Sequence, residues 1–150
     1  MMLDTDSSMQ RTVFLMSPDQ IDHYWLDIAR TLGEVPGYYE FFTPEWTYTR
    51  AKSGDLQVWG LTDGVIKGIA VTQILVFPAQ KAFEILACGG AGMLSFIDEM
   101  DDVFEKIAAV AECQTIITRT RPGVERLLMK KGVFRGCVWL YRPVGRRSEH

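Results

Sequence analysis

Apolar side chains recur at helical spacing soon after the start of the chain. Residues 17–20 read Ser-Pro-Asp-Gln, which places a capping hydroxyl before a proline and a glutamine at the capping-box position. The apolar positions that follow are three or four residues apart: Ile21, Tyr24, Trp25, Ile28, Ala29 and Leu32. They predict one helix with a buried face, which ends at Gly33 in the usual place for a left-handed residue. A β-rich run at residues 12–16 predicts a strand before it.

The pattern changes to that of strands after residue 55. Two β-rich runs, 56–61 and 65–77, flank Thr-Asp-Gly at 62–64, and an Asp-Gly pair between such runs is typical of a hairpin. A third apolar run, 82–88, predicts a buried strand. These three runs indicate an antiparallel meander.

A second amphipathic helix follows the meander. Its predicted apolar stripe consists of Leu94, Ile97, Met100, Phe104, Ile107, Ala108 and Ala111. Beyond it we expect a short strand at 115–118, a shorter helix from Pro122 to the stop at Gly132, and a last strand at 133–141. The order predicts an α/β (α+β) fold with a mixed, mostly antiparallel sheet of about six strands flanked by three to four helices, on both faces. We expect one domain over 1–150, with flexible tails at 1–10 and 144–150.

Aromatic residues are dense between the first helix and the meander. Six of them fall within eleven positions: Tyr38, Tyr39, Phe41, Phe42, Trp46 and Tyr48. Such a density could line a groove for a substrate or partner, although an irregular segment folded onto the core is the favoured interpretation. A short helix in this segment is a weaker expectation.

Composition places the chain among ordinary globular proteins. It is 47% hydrophobic and 23% charged, and no apolar run approaches the roughly 20 residues that span a bilayer. The polar, acidic first residues lack the features of a signal peptide. Three widely spaced cysteines indicate reduced thiols of a cytoplasmic protein, and with only two histidines no metal site is expected.

Charge is distributed unevenly along the chain. Residues 1–114 carry 7 Lys/Arg and 17 Asp/Glu, whereas residues 115–150 carry 9 Lys/Arg and 2 Asp/Glu. A basic third on an acidic body suits an anionic ligand, a nucleic acid or an acidic protein, and solvated surface is the simpler interpretation. Because no aromatic residues alternate with these charges, we expect no specific nucleic-acid binding.

The sequence between the third strand and the long helix is the strongest candidate for a binding site. Residues 87–92 read Ala-Cys-Gly-Gly-Ala-Gly, so the backbone can turn sharply and expose its N–H groups. A helix that begins after such a turn adds unpaired N–H groups and a positive dipole end, which suit a phosphate. The predicted contacts are Cys88, Gly89, Gly90, Ala91 and Gly92. A tight strand-to-helix turn without a ligand explains the same residues equally well.

This order of elements, with a glycine turn after the third meander strand, resembles the GNAT family of acetyl-CoA-dependent N-acetyltransferases. In that family a Gln/Arg-x-x-Gly-x-Gly/Ala turn holds the coenzyme pyrophosphate through backbone amides. Here Gly90 and Gly92 match both glycines, and Ala87 stands at the polar position. Downstream, Gly132-Val133 matches the family's Gly-Phe ending, and Arg121 stands at its asparagine position. The resemblance therefore implies acetyl-CoA as a possible cofactor, with Arg121 among its contacts.

The same resemblance places the family's catalytic residues in doubt. The tyrosine that often protonates the departing thiolate corresponds to Leu128, which cannot donate a proton. Acid–base assistance is typically worth about a hundred- to ten-thousand-fold in rate. Glu84 lies on the strand before the glycine turn, where the family sometimes places a base. An ordinary outward-facing strand residue is the favoured interpretation of Glu84.

A narrower resemblance runs from residues 85–90 through the long helix to residues 118–133. It is similar to small GNAT-like proteins of tailed phages, some of them internal virion proteins, which keep the fold and lose catalytic residues. This resemblance favours a virion structural or assembly component with other virion proteins, or an oligomeric assembly, as partners, in the virion or the host cytoplasm. The alternative is an active N-acetyltransferase that transfers an acetyl group to a primary amine. A ligand-binding regulator is a third possibility.

Overall fold

The computed structural model describes residues 11–118 and Val144. Residues 11–118 lie within one compact unit. Several predicted segments lie outside the described residues. They are the tail at 1–10, the tail at 144–150 except for Val144, the helix after Pro122 and the strand at 133–141. Arg121 and Leu128 also lie outside them. The prediction of a single domain over the whole chain stays a prediction.

The described residues form five strands and five α-helices. The strands are β1 Thr12–Leu15, β2 Gln57–Thr62, β3 Ile66–Val76, β4 Lys81–Gly89 and β5 Thr115–Thr118. The helices are α1 Pro18–His23, α2 Trp25–Gly33, α3 Tyr38–Phe41, α4 Pro44–Ser53 and α5 Ile97–Val110, and a 3-10 turn at Met93–Phe96 leads into α5. The prediction of a mixed α/β fold is confirmed, with five described strands rather than about six.

The strands form one sheet in the order β1-β2-β3-β4-β5. The first four are antiparallel neighbours, and β5 lies parallel to β4. The predicted hairpin at Asp63-Gly64 joins β2 to β3, and Gly64 has a φ of +113° there. The meander is therefore confirmed, and the long helix α5 is the crossover that a parallel neighbour requires.

Alternating side chains bury both faces of this sheet. On one face Val58, Ile69 and Val71 pack with Ile28 and Leu32 of the N-terminal helices. On the other face the core includes Trp59, Leu61, Ala70 and Phe83 from the strands and Phe96, Met100 and Phe104 from the segment around α5. Helices on both faces were predicted and are confirmed.

The first predicted helix is capped as expected but is broken in two. The Ser17 side chain accepts a hydrogen bond from the Gln20 N–H at 3.2 Å, and the Gln20 side chain accepts one from the Ser17 N–H at 2.9 Å. Tyr24 separates α1 from α2. Although α2 ends at Gly33, that glycine is not left-handed; its open side faces the Tyr39 ring, 3.3 Å from where a Cβ would lie. Gly33 therefore allows the Tyr39 ring to pack closely against α2, and it does not turn the chain through a left-handed conformation.

The aromatic segment is helical rather than irregular. It forms α3 and α4, and the Thr43 side chain caps α4 by accepting from the Trp46 N–H at 3.0 Å. Tyr38 is buried, and its hydroxyl lies 2.7 Å from Thr47 Oγ1. The segment thus packs onto the core on the face of the sheet that the N-terminal helices cover, as the favoured interpretation expected. Its two helices are additional to the predicted number.

Two members of the predicted stripe on the long helix lie at the surface. Leu94 is 49% exposed and Ile107 is 37% exposed, whereas Phe96, Phe104 and Ala108 are buried. The 3-10 turn before α5 has about three residues per turn, so it shifts the buried face relative to an uninterrupted α-helix. Among the described residues, no helix is long and apolar enough to cross a membrane.

Candidate functional site

The end of β4 is irregular, because one of its residues has no partner on β3. Val71 pairs with Ala87 and the next residue, Thr72, pairs with Ile85, so Leu86 is the extra residue of a β-bulge. Leu86 and Ala87 both pack into the core on the face of the sheet that the N-terminal helices cover. On its other side β4 pairs with β5, from Ala82 opposite Thr115 to Ile85 opposite Thr118.

The glycine turn follows β4 directly. Gly90 has a φ of +112°, a conformation that side chains rarely adopt. The Gly92 N–H donates to the Lys67 carbonyl oxygen at 3.1 Å, and the Met93 N–H donates to the Gly90 carbonyl oxygen at 3.2 Å. The N–H groups of Gly90 and Ala91 have no backbone acceptor within the described part of the chain. Two adjacent amides of the predicted cradle are thus available, and that of Gly92 is occupied.

The glycines of the turn also allow the chain to pack closely on itself. A Cβ on Gly90 would lie 2.6 Å from the Gly68 Cα and 2.6 Å from the Lys67 carbonyl oxygen. A Cβ on Gly92 would lie 2.9 Å from the Lys67 Cβ. One on Gly89 would lie 2.9 Å from Val35 Cγ2. Close packing is therefore sufficient to explain the pattern, as the interpretation without a ligand requires.

Arg11 forms hydrogen bonds to the 3-10 turn that lies between the glycines and α5, and to the first turn of α5. Its guanidinium donates to the Ser95 carbonyl oxygen and, at 3.2 Å, to Glu99 Oε2. It also lies 4.1 Å from the centre of the Phe96 ring. The Ser95 hydroxyl donates to the Gly92 carbonyl oxygen at 2.7 Å. Nothing local in the sequence marks Arg11, because its partners lie more than 80 residues away in the chain.

Glu84 is buried on the sheet rather than facing outward. It is 3% exposed, and its Oε1 accepts a hydrogen bond from Gln73 Nε2 at 2.8 Å. It pairs with Gln73 on β3 and with Ile117 on β5. The interpretation of Glu84 as an outward-facing residue is therefore wrong, since a strand between two neighbours with helices on both faces leaves little surface.

Cys88 belongs to the core around α5 and is not a nucleophile at neutral pH. Its thiol donates a long hydrogen bond to Met100 Sδ at 3.8 Å. Burial raises the pKa of the Cys88 thiol to about 12. Because the thiolate is the reactive form, a covalent acyl intermediate on Cys88 is disfavoured.

Two clefts open on the side of the sheet that the N-terminal helices cover, away from the glycine turn. One of about 500 Å³ is lined by the β2–β3 hairpin together with Phe14, Tyr24 and Asp27. The other, of about 290 Å³, lies between the ends of β1 and α4. Neither is lined by residues 87–92. Among the described residues, no group of three or more His, Cys, Asp or Glu side chains could hold a metal ion.

Solved structures with a similar fold include several acetyltransferases. Aminoglycoside N-acetyltransferase AAC(6')-Iy in complex with CoA is 11% identical, with a TM-score of 0.62 over 93% of this chain and 99% of that chain. An aminoglycoside acetyltransferase from an uncultured soil metagenomic sample is 14% identical, with a TM-score of 0.66 over 91% of this chain and 100% of that chain.

A transcriptional regulator from Bacillus halodurans C-125 shares the same fold. It is 13% identical, with a TM-score of 0.67 over 89% of this chain and 99% of that chain. No protein-family model matches the sequence, and no curated protein matches it. At these identities the likeness concerns architecture and not activity. The chain therefore has the fold of the GNAT acetyltransferases.

Proposed function

We propose that this protein binds acetyl-CoA at the turn after β4 and transfers the acetyl group to a primary amine. The observation that carries the proposal is the pair of adjacent N–H groups on Gly90 and Ala91, which have no backbone acceptor in the described part of the chain. They follow directly on Gly89, the last residue of β4. The CoA complex of a protein with the same fold supports the choice of ligand.

The residues of the turn fit a diphosphate through main-chain contacts. Gly90 and Ala91 would supply two N–H donors, and two successive amides in a turn form a concave anion site. Cys88 and Gly89 would line the approach, Gly92 would hold the turn through its bond to Lys67, and Arg121 stays a proposed contact. When bound, acetyl-CoA supplies an activated acetyl thioester.

The chain's own residues favour direct attack of the amine on the thioester. Cys88 keeps its proton, and Leu128 cannot protonate the leaving thiolate. Glu84 is the proposed base that takes the proton of the attacking amine, because it lies on β4, the strand that leads into the turn. Coenzyme A then leaves as a thiolate that takes its proton from water. Much of the rate would come from positioning, which alone can supply several kcal/mol towards the barrier. We therefore expect slow transfer.

Calorimetric titration with acetyl-CoA tests binding, and Ala91→Glu is the informative variant. Ala91 is exposed, so a carboxylate there would repel a phosphate without disturbing the core. Ala109→Glu places the same charge on the exposed side of α5 and serves as the control. We expect the first variant to weaken binding about tenfold or more and the second to leave it unchanged. Absence of heat with the unmodified protein at high micromolar acetyl-CoA would exclude the proposal.

A role in assembly without catalysis is the second candidate. It is favoured by the packing of Gly89, Gly90 and Gly92 against the chain itself, which explains the turn without a coenzyme. On this proposal the protein is a structural component of the kind that the phage resemblance implies. Light scattering after size exclusion, combined with the titration, separates the two candidates. A stable oligomer or complex that binds no acetyl-CoA favours assembly, whereas a monomer that binds it contradicts assembly.

A further inference from the structure

Lys67 contacts the glycine turn at two of its positions. It is the second residue of β3, and its carbonyl oxygen accepts the Gly92 N–H at 3.1 Å. The same oxygen lies 2.6 Å from where a Cβ on Gly90 would be, and the Lys67 Cβ is 2.9 Å from the corresponding point on Gly92. Lys67 and the turn are therefore fixed relative to each other by main-chain contacts, which do not involve the ammonium group.

Within residues 11–118, the ammonium of Lys67 is a positive charge beside this turn that has no ion-pair partner. Arg11 also lies nearby, but its guanidinium is paired with Glu99 and Ser95 and covers the Phe96 ring. Lys67 is exposed, and no carboxylate of residues 11–118 lies within ion-pair distance of it. Its flexible four-carbon stem starts against Gly92, so the charge can reach an anion held by neighbouring amides.

We propose that Lys67 binds the diphosphate of acetyl-CoA, together with the amides of Gly90 and Ala91. This inference rests on the proposed function and names a side-chain contact for it. Backbone amides orient the phosphate oxygens, and a lysine adds a point charge that strengthens each contact. The exposed side chain of Lys67 on β3 thus supplies the positive charge on one side of the site.

Lys67→Met is the variant that isolates the charge. Methionine keeps an unbranched apolar stem against Gly92, and the main-chain bond to Gly92 does not depend on the side chain. Lys106→Met removes a similarly exposed lysine from α5 and is the matched control. Thermal unfolding of both variants verifies that neither has lost its fold.

Three ligands distinguish the phosphate that Lys67 contacts: CoA, dephospho-CoA and pantetheine. We expect Lys67→Met to weaken calorimetric binding of CoA and dephospho-CoA by the same factor, about tenfold, and to leave pantetheine unchanged. Lys106→Met should change none of the three. The difference should shrink at 500 mM salt, because mobile ions screen an exposed charge.

Other outcomes overturn the inference in recognisable ways. A loss confined to CoA would assign Lys67 to the 3'-phosphate, and equal affinities of the variant and the unmodified protein would remove its role altogether. Either result leaves the proposed function intact, because the unmodified protein still binds. If the unmodified protein itself binds neither CoA nor dephospho-CoA, the proposed function fails first.

Discussion

Gly90 is the residue on which the shape of the turn depends most directly. Its φ of +112° suits only glycine, and the Gly68 Cα and the Lys67 carbonyl oxygen fill the space that a side chain would need. Gly64 offers a matched comparison, because its φ is +113° and nothing lies within 4 Å of the equivalent point. Comparing the same substitution at the two glycines therefore separates the energetic cost of backbone strain from the cost of steric contact.

Gly64→Ala should cost about 1–2 kcal/mol in the free energy of unfolding, the penalty of a left-handed side chain. Gly90→Ala should cost about 1–3 kcal/mol more, because backbone atoms on the opposite side cannot move away. Urea denaturation of the two variants beside the unmodified protein measures both. Equal losses would mean that the turn relaxes freely around residue 90.

Cys88 makes the stability of the protein sensitive to alkaline pH. Its pKa is raised from 9.0 to about 12 in the folded protein, so above pH 9 the folded state holds more protons than the unfolded state. The contribution is therefore present below pH 9 and is lost as the pH rises towards 12. Tyr38, whose pKa burial also raises, adds to the trend at higher pH.

Cys88→Ala should flatten this loss. Above pH 9 the slope of the free energy of unfolding should differ from that of the unmodified protein by up to about 1.4 kcal/mol per pH unit. Urea denaturation at several pH values between 9 and 10.5, with a reductant present, provides the measurement. Parallel curves for the two proteins would show that the thiol is not the group responsible.

Residue-level predictions from the sequence succeeded where the signal is local. The capping box at Ser17 and the positive φ of the Asp-Gly hairpin depend on a few neighbouring positions, and both are present. Glu84 was misjudged, because alternation along a strand does not reveal whether helices cover both faces. Lys67 and Arg11 carry no local signal, since their contacts with the turn are made across the sheet.

At the scale of elements, the segment before α5 decides which side chains are buried. The sequence predicts one continuous stripe that includes Leu94, but a 3-10 turn separates Met93–Phe96 from the α-helix. Phe96 is completely buried, and Leu94 is 49% exposed. A period of 3.6 residues therefore describes the stripe only from Ile97 onward, and nothing in the composition announces the change of pitch.

Phe96→Ala should destabilise the protein by about 3–5 kcal/mol, because it removes a buried ring and leaves a cavity. Leu94→Ala should cost less than about 1 kcal/mol, since half of that side chain is already in water. Thermal unfolding monitored by circular dichroism distinguishes these expectations from the uninterrupted stripe, which would make Leu94 as costly as Phe96.

At the scale of the whole molecule, the antiparallel meander and the helices on both faces of the sheet followed from the sequence. The Asp-Gly hairpin fixes β2 against β3, and the long apolar run of β4 requires cover on both faces. The bulge at Leu86 could not be predicted in this way, because it is a mismatch in pairing and appears only when β3 and β4 are aligned. The bulge lies in the strand that leads into the glycine turn, so the geometry of this strand end could not be read from the sequence, and the site residues themselves stay a prediction.

A ligand at this position should stabilise the molecule globally, because the turn joins β3, β4 and α5. Acetyl-CoA at a hundredfold excess over its Kd should add about 2.7 kcal/mol to the free energy of unfolding. In a domain of this size that corresponds to a rise in Tm of about 5–10 °C. Differential scanning calorimetry measures the shift, and the roughly tenfold weaker binding of Ala91→Glu should reduce it to about half at the same ligand concentration. An unchanged Tm with the unmodified protein would contradict binding to the folded state.

The contacts that crowd around Gly89, Gly90 and Gly92 bear on how such a motif is read in other sequences. Here each glycine is needed by the architecture, whatever the turn may hold. A protein with this fold that binds no coenzyme would be expected to retain all three, because packing alone requires them. Glycine spacing at this point therefore indicates the fold, and an activity has to be demonstrated by the exposed positions, Ala91 and Lys67, which the fold leaves free to vary.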